Sequence, residues 1–249
     1  MIPTVYSEHF LTDYPTVDCE PPNRVWMIQP GIQSIARFIE PEHCTIEDLL
    51  LCHSGALIDR VQRDRTAYEI AMLAAGGAIK AATLSLKEPS FALIRPPGHH
   101  AGRNFNGGFC FFNNMAIAIE RLLSDGLIGS ALIIDIDLHY GNGTYDIVKE
   151  DSRVSFRNID SRTRENFFAD FEETLEDART FDIVGCSVGF DTYVKDWGGL
   201  LFTEDYGKIG RLLVSSNSHI LAVLEGGYYI PDLGANVRSF LEGMQGTCS

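Results

Sequence analysis

Residues 131–144 read Ala-Leu-Ile-Ile-Asp-Ile-Asp-Leu-His-Tyr-Gly-Asn-Gly-Thr. The first four are apolar, the pattern of a strand buried on both faces of a parallel sheet. Asp135, Asp137 and His139 then follow at every second position. In an extended segment such positions share a face. Two carboxylates and an imidazole therefore gather at the carboxyl end of a buried strand. Desolvated charges need a partner, and a divalent cation is the simplest one. Oxygen and nitrogen ligands without thiolate suit zinc or a similar first-row metal. Gly141 and Gly143 allow a tight turn into a helix near Thr144.

The same alternation runs along the chain. Short apolar runs at 91–94, 154–159, 181–188 and 219–224 lie between amphipathic stretches at 66–86, 113–123, 167–180, 203–217 and 233–244. Alternating strands and helices imply parallel strands, right-handed crossovers and helices on both faces. The expected fold is α/β, three layers around a mainly parallel sheet, with residues 1–249 as one domain. Thr45 before Ile46-Glu47-Asp48 predicts a capped helix that runs to Val61 with a break at Ser54-Gly55. Residues 1–31 contain Pro3, Pro15, Pro21, Pro22 and Pro30 and read as loop, except a short strand at Thr4–Tyr6. Ser34–Ile39 reads as a helical turn before Pro41.

Charge narrows the partners. The chain carries 34 acidic and 20 basic residues, a formal charge of −14. That argues against direct binding of nucleic acid. No apolar run approaches the roughly 20 residues that cross a bilayer, and Met1–Asp13 has no leader pattern. The six cysteines are scattered without a CxxC pair, which predicts neither a disulfide framework nor a structural zinc site. A cytoplasmic, reducing setting follows.

Four buried runs end in unusual chemistry: His99-His100, the Asp135 trio, Asp191, and Gly226-Gly227-Tyr228. Ligands of open parallel sheets bind outside the carboxyl ends of the strands, so all four are expected at one crevice. Asp191 would complete a three-ligand metal site with Asp137 and His139, leaving a position open for catalysis. Its alternative is a turn cap. His99 and His100 have Asp135 and Asn142 as expected orienting partners, one charged and one neutral. A histidine beside a carboxylate holds its proton more tightly than one beside an amide, so the pair can divide acid and base duties. Tyr228, after two glycines, can donate to an oxyanion, with Tyr229 as its rival. Gly227 would allow close backbone approach. Phe109, beside Gly108, reads as the wall of an apolar passage, while Phe111 and Phe112 read as core. Cys110 reads as buried and inert.

These residues resemble the zinc-dependent histone deacetylase family, which includes acetylpolyamine amidohydrolases and shares the arginase–deacetylase fold. The carrying motifs are Arg95-Pro-Pro-Gly-His-His-Ala101, Gly108-Phe-Cys-Phe-Phe-Asn-Asn114, the run from Asp135 to Thr144, Gly189-Phe-Asp191 and Glu225-Gly-Gly-Tyr228. They occur in the family's order across about residues 45–245. The resemblance implies one zinc ion held by Asp137, His139 and Asp191, with His99, His100, Asp135, Asn142 and Tyr228 catalytic. It implies an acyl-lysine channel walled by Phe109 with Gly108 and Gly227 nearby. It also implies a potassium ion near Asp135, Asp137, His139 and Asn158. Asn142, in place of a second aspartate, is similar to the class II and bacterial or archaeal branches. The implied reaction removes an acetyl or other acyl group from an amine, either acetyl-lysine in a peptide or an acetylpolyamine. Alternatives are a non-catalytic or weakly active binding protein of the same fold, and an arginase-like ureohydrolase with two metals. The stretch between Ile159 and Phe181 is shorter than the family's, implying a rim that is open or completed by another subunit of a homo-oligomer.

Overall fold

The computed structural model describes residues 1–246. Seven strands make one sheet: β1 (Ile2–Val5), β2 (Ala36–Ile39), β3 (Ser90–Ala92), β4 (Ala131–Asp135), β5 (Val154–Asn158), β6 (Ile183–Val188) and β7 (Ile220–Leu224). Their order is β2-β1-β3-β7-β6-β4-β5, and every pairing is parallel. β3, β4, β6 and β7 are buried at each residue, as strands covered on both faces must be.

The helices are α1 (Asn23–Ile32), α2 (Ile46–Cys52), α3 (Gly55–Val61), α4 (Arg65–Ser85), α5 (Asn114–Ser124), α6 (Asn142–Val148), α7 (Arg164–Leu175), α8 (Thr203–Ser216) and α9 (Ile230–Met244). α4 packs on α5 and on β1, β3 and β7, whereas α1 and α8 pack on α9. The result is a three-layer α/β/α arrangement. Thr45 caps α2 through a reciprocal box with Asp48, and Ser54 caps α3, at the expected break.

Two sequence expectations are corrected. Residues 23–32 form helix α1 rather than loop, burying Val25, Ile28 and Ile32. The prolines misled because Pro22 stands at the N-cap and Pro30 enters only the last turn, positions that leave most helical hydrogen bonds intact. Residues 36–39 form strand β2 rather than a helical turn, pairing Ile2 with Ala36 through Val5 with Ile39. β2 is an edge strand whose only buried residue is Ala36, so it shows no inward apolar alternation. The five described cysteines are free; Cys248 lies outside the described residues.

Candidate active site

β4 ends at Asp135, and the chain beyond it is shaped by carboxylates that accept from their own backbone. Asp135 Oδ1 accepts from Asp137 N–H at 3.0 Å, and Asp137 Oδ1 from His139 N–H at 2.9 Å. This side-chain-to-backbone turn is an aspartate habit. It carries Asp137 and His139 away from the strand and toward Asp191, which follows β6. Ligand atoms of Asp137, His139 and Asp191 lie within 4.8 Å of one another.

Asp137 and Asp191 are buried, and His139 is partly exposed. Asp191 Oδ1 accepts from Leu138 N–H at 3.1 Å. Asp191 Oδ2 is buried with no hydrogen-bond partner, although it lies 3.0 Å from His139 Nδ1. A desolvated carboxylate oxygen without a donor is expensive, and a cation at this point would partner it. Close approach here demands glycine: a Cβ at Gly189 would sit 2.3 Å from Asp137 Oδ2, and one at Gly226 2.6 Å from the same atom. The donor set of two carboxylates and one imidazole suits a zinc-type ion.

Titratable groups are crowded at this cluster. Burial and the Asp137 charge push Asp191 up to about 7. The Asp137 carboxylate, which accepts from His139, and the nearby Asp191 carboxylate raise His139 to about 10. Burial works against the charge on Asp137, yet His99 and the donors around it hold that carboxyl below its ordinary range.

The histidine pair stands as expected. His99 Nδ1 lies 2.9 Å from Asp135 Oδ2, and His100 Nδ1 lies 2.7 Å from Asn142 Oδ1. An Asn142 carbonyl accepts, so His100 carries its proton on Nδ1 and leaves Nε2 free. The rings are 4.0 Å apart. Burial alone would lower His99, but Asp137 and Asp135 outweigh it and raise it well above the ordinary value. Burial and charged His99 lower His100 to about 4.

Tyr228 is turned into the crevice by Gly227, whose φ of +126° is open to glycine alone. Phe109 holds φ +69°, uncommon for an aromatic residue. Its ring meets Tyr228 edge to face at 6.0 Å. Gly108 lies against the His100 ring. Phe112 is core and Phe111 packs on Tyr14. Cys110 is buried, and desolvation holds its thiol protonated. Asn158 pairs with Asp135 in the sheet, and its Oδ1 accepts from Gly141 N–H at 2.9 Å.

Several residues around the site were assigned no role from the sequence. Glu225 is fully buried and accepts from Gly98 N–H at 2.7 Å, His99 N–H at 3.2 Å and Ser187 Oγ at 3.1 Å. Burial lifts it to about 7. A carboxylate ending the apolar run 220–224 was the signal, the same one that marked Asp135. Arg24 donates to the carbonyls of Gly227 at 2.7 Å and Glu225 at 2.6 Å, and buried Glu20 holds both Arg24 and Arg95. Asp196 accepts from the N–H groups of Tyr228 and Tyr229. A cavity of about 420 Å³ opens beside Leu138, lined by Ile159, Asp160, Phe167, Thr192 and Leu200. A larger one of about 780 Å³ lies away from this chemistry, near Gly129, Asp182 and His219.

Known proteins match this arrangement. The family described as histone deacetylase domain matches residues 20–179. An acetylpolyamine amidohydrolase of Mycoplana ramosa is 33% identical over 72% of this chain and 64% of its own length. A probable deacetylase of Methanothermobacter thermautotrophicus is 30% identical over 84% of this chain and 80% of its own. This chain thus spans less than two thirds of the Mycoplana relative, and 56% of a Pseudomonas aeruginosa acetylpolyamine amidohydrolase. Among solved structures, the HDA15 HD domain superposes with a TM-score of 0.88 at 22% identity, covering 98% of this chain and 91% of that one. An acetylpolyamine aminohydrolase from Burkholderia pseudomallei gives 0.85 at 22% identity, covering 98% of each chain. These two likenesses show the fold.

Proposed function

The chain belongs to the histone deacetylase domain family, and from that premise we propose that it is a metal-dependent amidohydrolase removing an acyl group, acetyl first of all, from an amine. The carrying observation is the buried, unpartnered Asp191 Oδ2 among the converging ligand atoms of Asp137, His139 and Asp191, beside the histidine pair. One zinc ion per chain is the cofactor in this reading. Bound there, it supplies Lewis acidity toward an amide carbonyl and toward water.

The chain's own residues supply the rest. His100, with its Nδ1 proton given to Asn142, offers a free Nε2 that takes a proton from the attacking water. His99, held by the Asp135 carboxylate, keeps its proton and stabilises negative charge or passes the proton to the departing amine. Tyr228 donates its hydroxyl to the oxygen on which charge develops. Phe109, with Gly108 and Gly227 at its sides, walls the acyl-amine channel. A potassium ion near Asp135, Asp137, His139 and Asn158 is the second ion of this reading, supported by the Asp135–Asn158 pairing.

The substrates are an acetylated polyamine or an acetyl-lysine peptide, after the names of the relatives. The acidic chain, at −14, suits cationic amines and not nucleic acid, and among the described residues no helix is long and apolar enough to cross a membrane. Five free cysteines support a reducing, cytoplasmic setting. A homo-oligomer is the expected way to complete the rim beside Leu138. Acetate release from acetyl-lysine peptides and acetylpolyamines, measured after metal removal and after zinc is restored, tests the proposal. Zinc-dependent turnover is expected. A full complement of metal with no turnover of any acyl-amine would leave the non-catalytic binding protein, and two manganese ions per chain would favour the ureohydrolase.

A further inference from the structure

We propose that Asp196 and Trp197 are positioning residues that clamp Tyr228 and fix the direction of its hydroxyl. The inference rests on the role of Tyr228 in the reaction above. Among the described residues none hydrogen-bonds the Tyr228 hydroxyl, so its direction is set by what grips the backbone and the ring. Asp196 grips the backbone: Oδ2 accepts from Tyr228 N–H and Tyr229 N–H, each at 2.6 Å. Its other oxygen, Oδ1, accepts from Trp197 N–H at 2.8 Å. One carboxylate thus joins two loops that lie 32 and 33 residues apart in sequence.

Trp197 grips the ring. Its indole stacks on the phenol with centroids 4.2 Å apart and planes 24° apart. The same indole meets the His139 ring at 5.8 Å and 89°. Trp197 is 53% exposed, so its contacts to Tyr228 and His139 are made at the surface of the site. The loop is anchored beside Asp191 as well, because Gly198 N–H donates to the Asp191 carbonyl at 2.8 Å. Hydrogen bonds and ring stacking thus link Asp191, Trp197 and Tyr228. On the remaining sides Phe109 and the Arg24 guanidinium, 4.9 Å from the ring centroid, complete the enclosure. Without the indole the phenol gains a free flank, and small misplacements of a reacting group cost large factors in rate.

The test has two arms. In kinetics with an acetylated amine, Trp197→Ala should lower kcat about tenfold or more and move KM less than about threefold, because an interaction realised in the transition state is what is lost. Trp197→Phe, which keeps a stacking ring, should recover most of that loss. In a Tyr228→Phe background, Trp197→Ala should cost nothing further; an undiminished second loss would overturn the clamp. If Trp197→Ala fails to fold, Trp197→Phe and Asp196→Asn carry the comparison, and wild-type kcat in both would overturn it. The second arm needs no turnover. In a Trp26→Phe background, which leaves Trp197 as the lone tryptophan, the near-ultraviolet circular dichroism of the indole should change on Tyr228→Leu. An unchanged band would overturn the clamp. An inactive wild type with the expected band would sink the proposed reaction and keep the clamp.

Discussion

Removing one oxygen from Tyr228 separates chemistry from packing. Tyr228→Phe keeps the ring between Trp197 and Phe109 and removes only the donor. Because a donor to a developing oxyanion acts mainly in the transition state, kcat should fall about 10²-fold or more, about 3 kcal/mol. Metal content and melting temperature should hold; steady-state kinetics with metal analysis reads both, and wild-type kcat would shift attention to Tyr229. Asp137→Ala attacks the ion instead. It deletes a ligand and the acceptor of the Gly226 and His139 N–H groups, so bound metal should drop from one per chain to near zero together with activity. Full occupancy in elemental analysis would move the metal site elsewhere. At this scale the sequence was legible wherever a charge interrupted an apolar run, as at Asp135, Asp137 and Asp191. It was silent on Arg24, Glu20, Asp196 and Trp197. Their contacts to the site lie far away in the chain, 203 residues in the case of Arg24 and Gly227, and no local pattern announces such a pairing.

Helix α4 shows how elements bring the sheet's exits together. It contacts β1, β3 and β7 and presents Ala74, Ala75, Ala78, Ala81 and Ala82 with no exposure beyond a trace. Small side chains allow near backbone approach. At Gly76 the limit is reached: a Cβ would lie 1.9 Å from the Glu42 carbonyl oxygen and 2.7 Å from Cys44 N. Both neighbours are backbone and cannot step aside. Gly76→Ala should therefore destabilise the fold by about 2 kcal/mol despite the better helix propensity of alanine, in the range of overpacked cores. Chemical denaturation measures it; unchanged or raised stability would show that the 42–44 segment yields. Periodicity made α4, α5 and α8 readable, because each turns one apolar face to a layer. α1 and β2 were not readable. Prolines at harmless positions masked the first, and an edge location removed the alternation that marks the second.

Over the whole molecule, one buried histidine sets part of the acid limit. His53 is 1% exposed. Its Nδ1 donates to the Gly102 carbonyl and its Nε2 accepts from Asn113 N–H, each at 2.9 Å. Both nitrogens are thus committed in the neutral form. Burial lowers its pKa from 6.5 to about 4. Between those values the unfolded chain binds more protons, so stability is full above about pH 6.5 and falls as pH drops toward 4. The loss reaches roughly 3 kcal/mol at the acid end. The slope of unfolding free energy against pH from 4.5 to 6.5 should be smaller in His53→Phe by up to about one proton. Equal slopes would show that His53 titrates normally.

The sheet order has a consequence for the growing chain. β7 is the last strand in sequence yet lies between β3 and β6. Until residues 220–224 are made, the sheet is two separate ribbons, β2-β1-β3 and β6-β4-β5, each with an edge strand open to pairing with a neighbour. Contacts of such sequence separation form late and slowly. A chain that stops before Ile220 should therefore collect in the insoluble fraction on expression while the full chain does not, and a soluble, monomeric fragment of that length would contradict this. The strand that brings Glu225 and Tyr228 to the crevice is the same one that closes the sheet, so the crevice is complete only when the fold is.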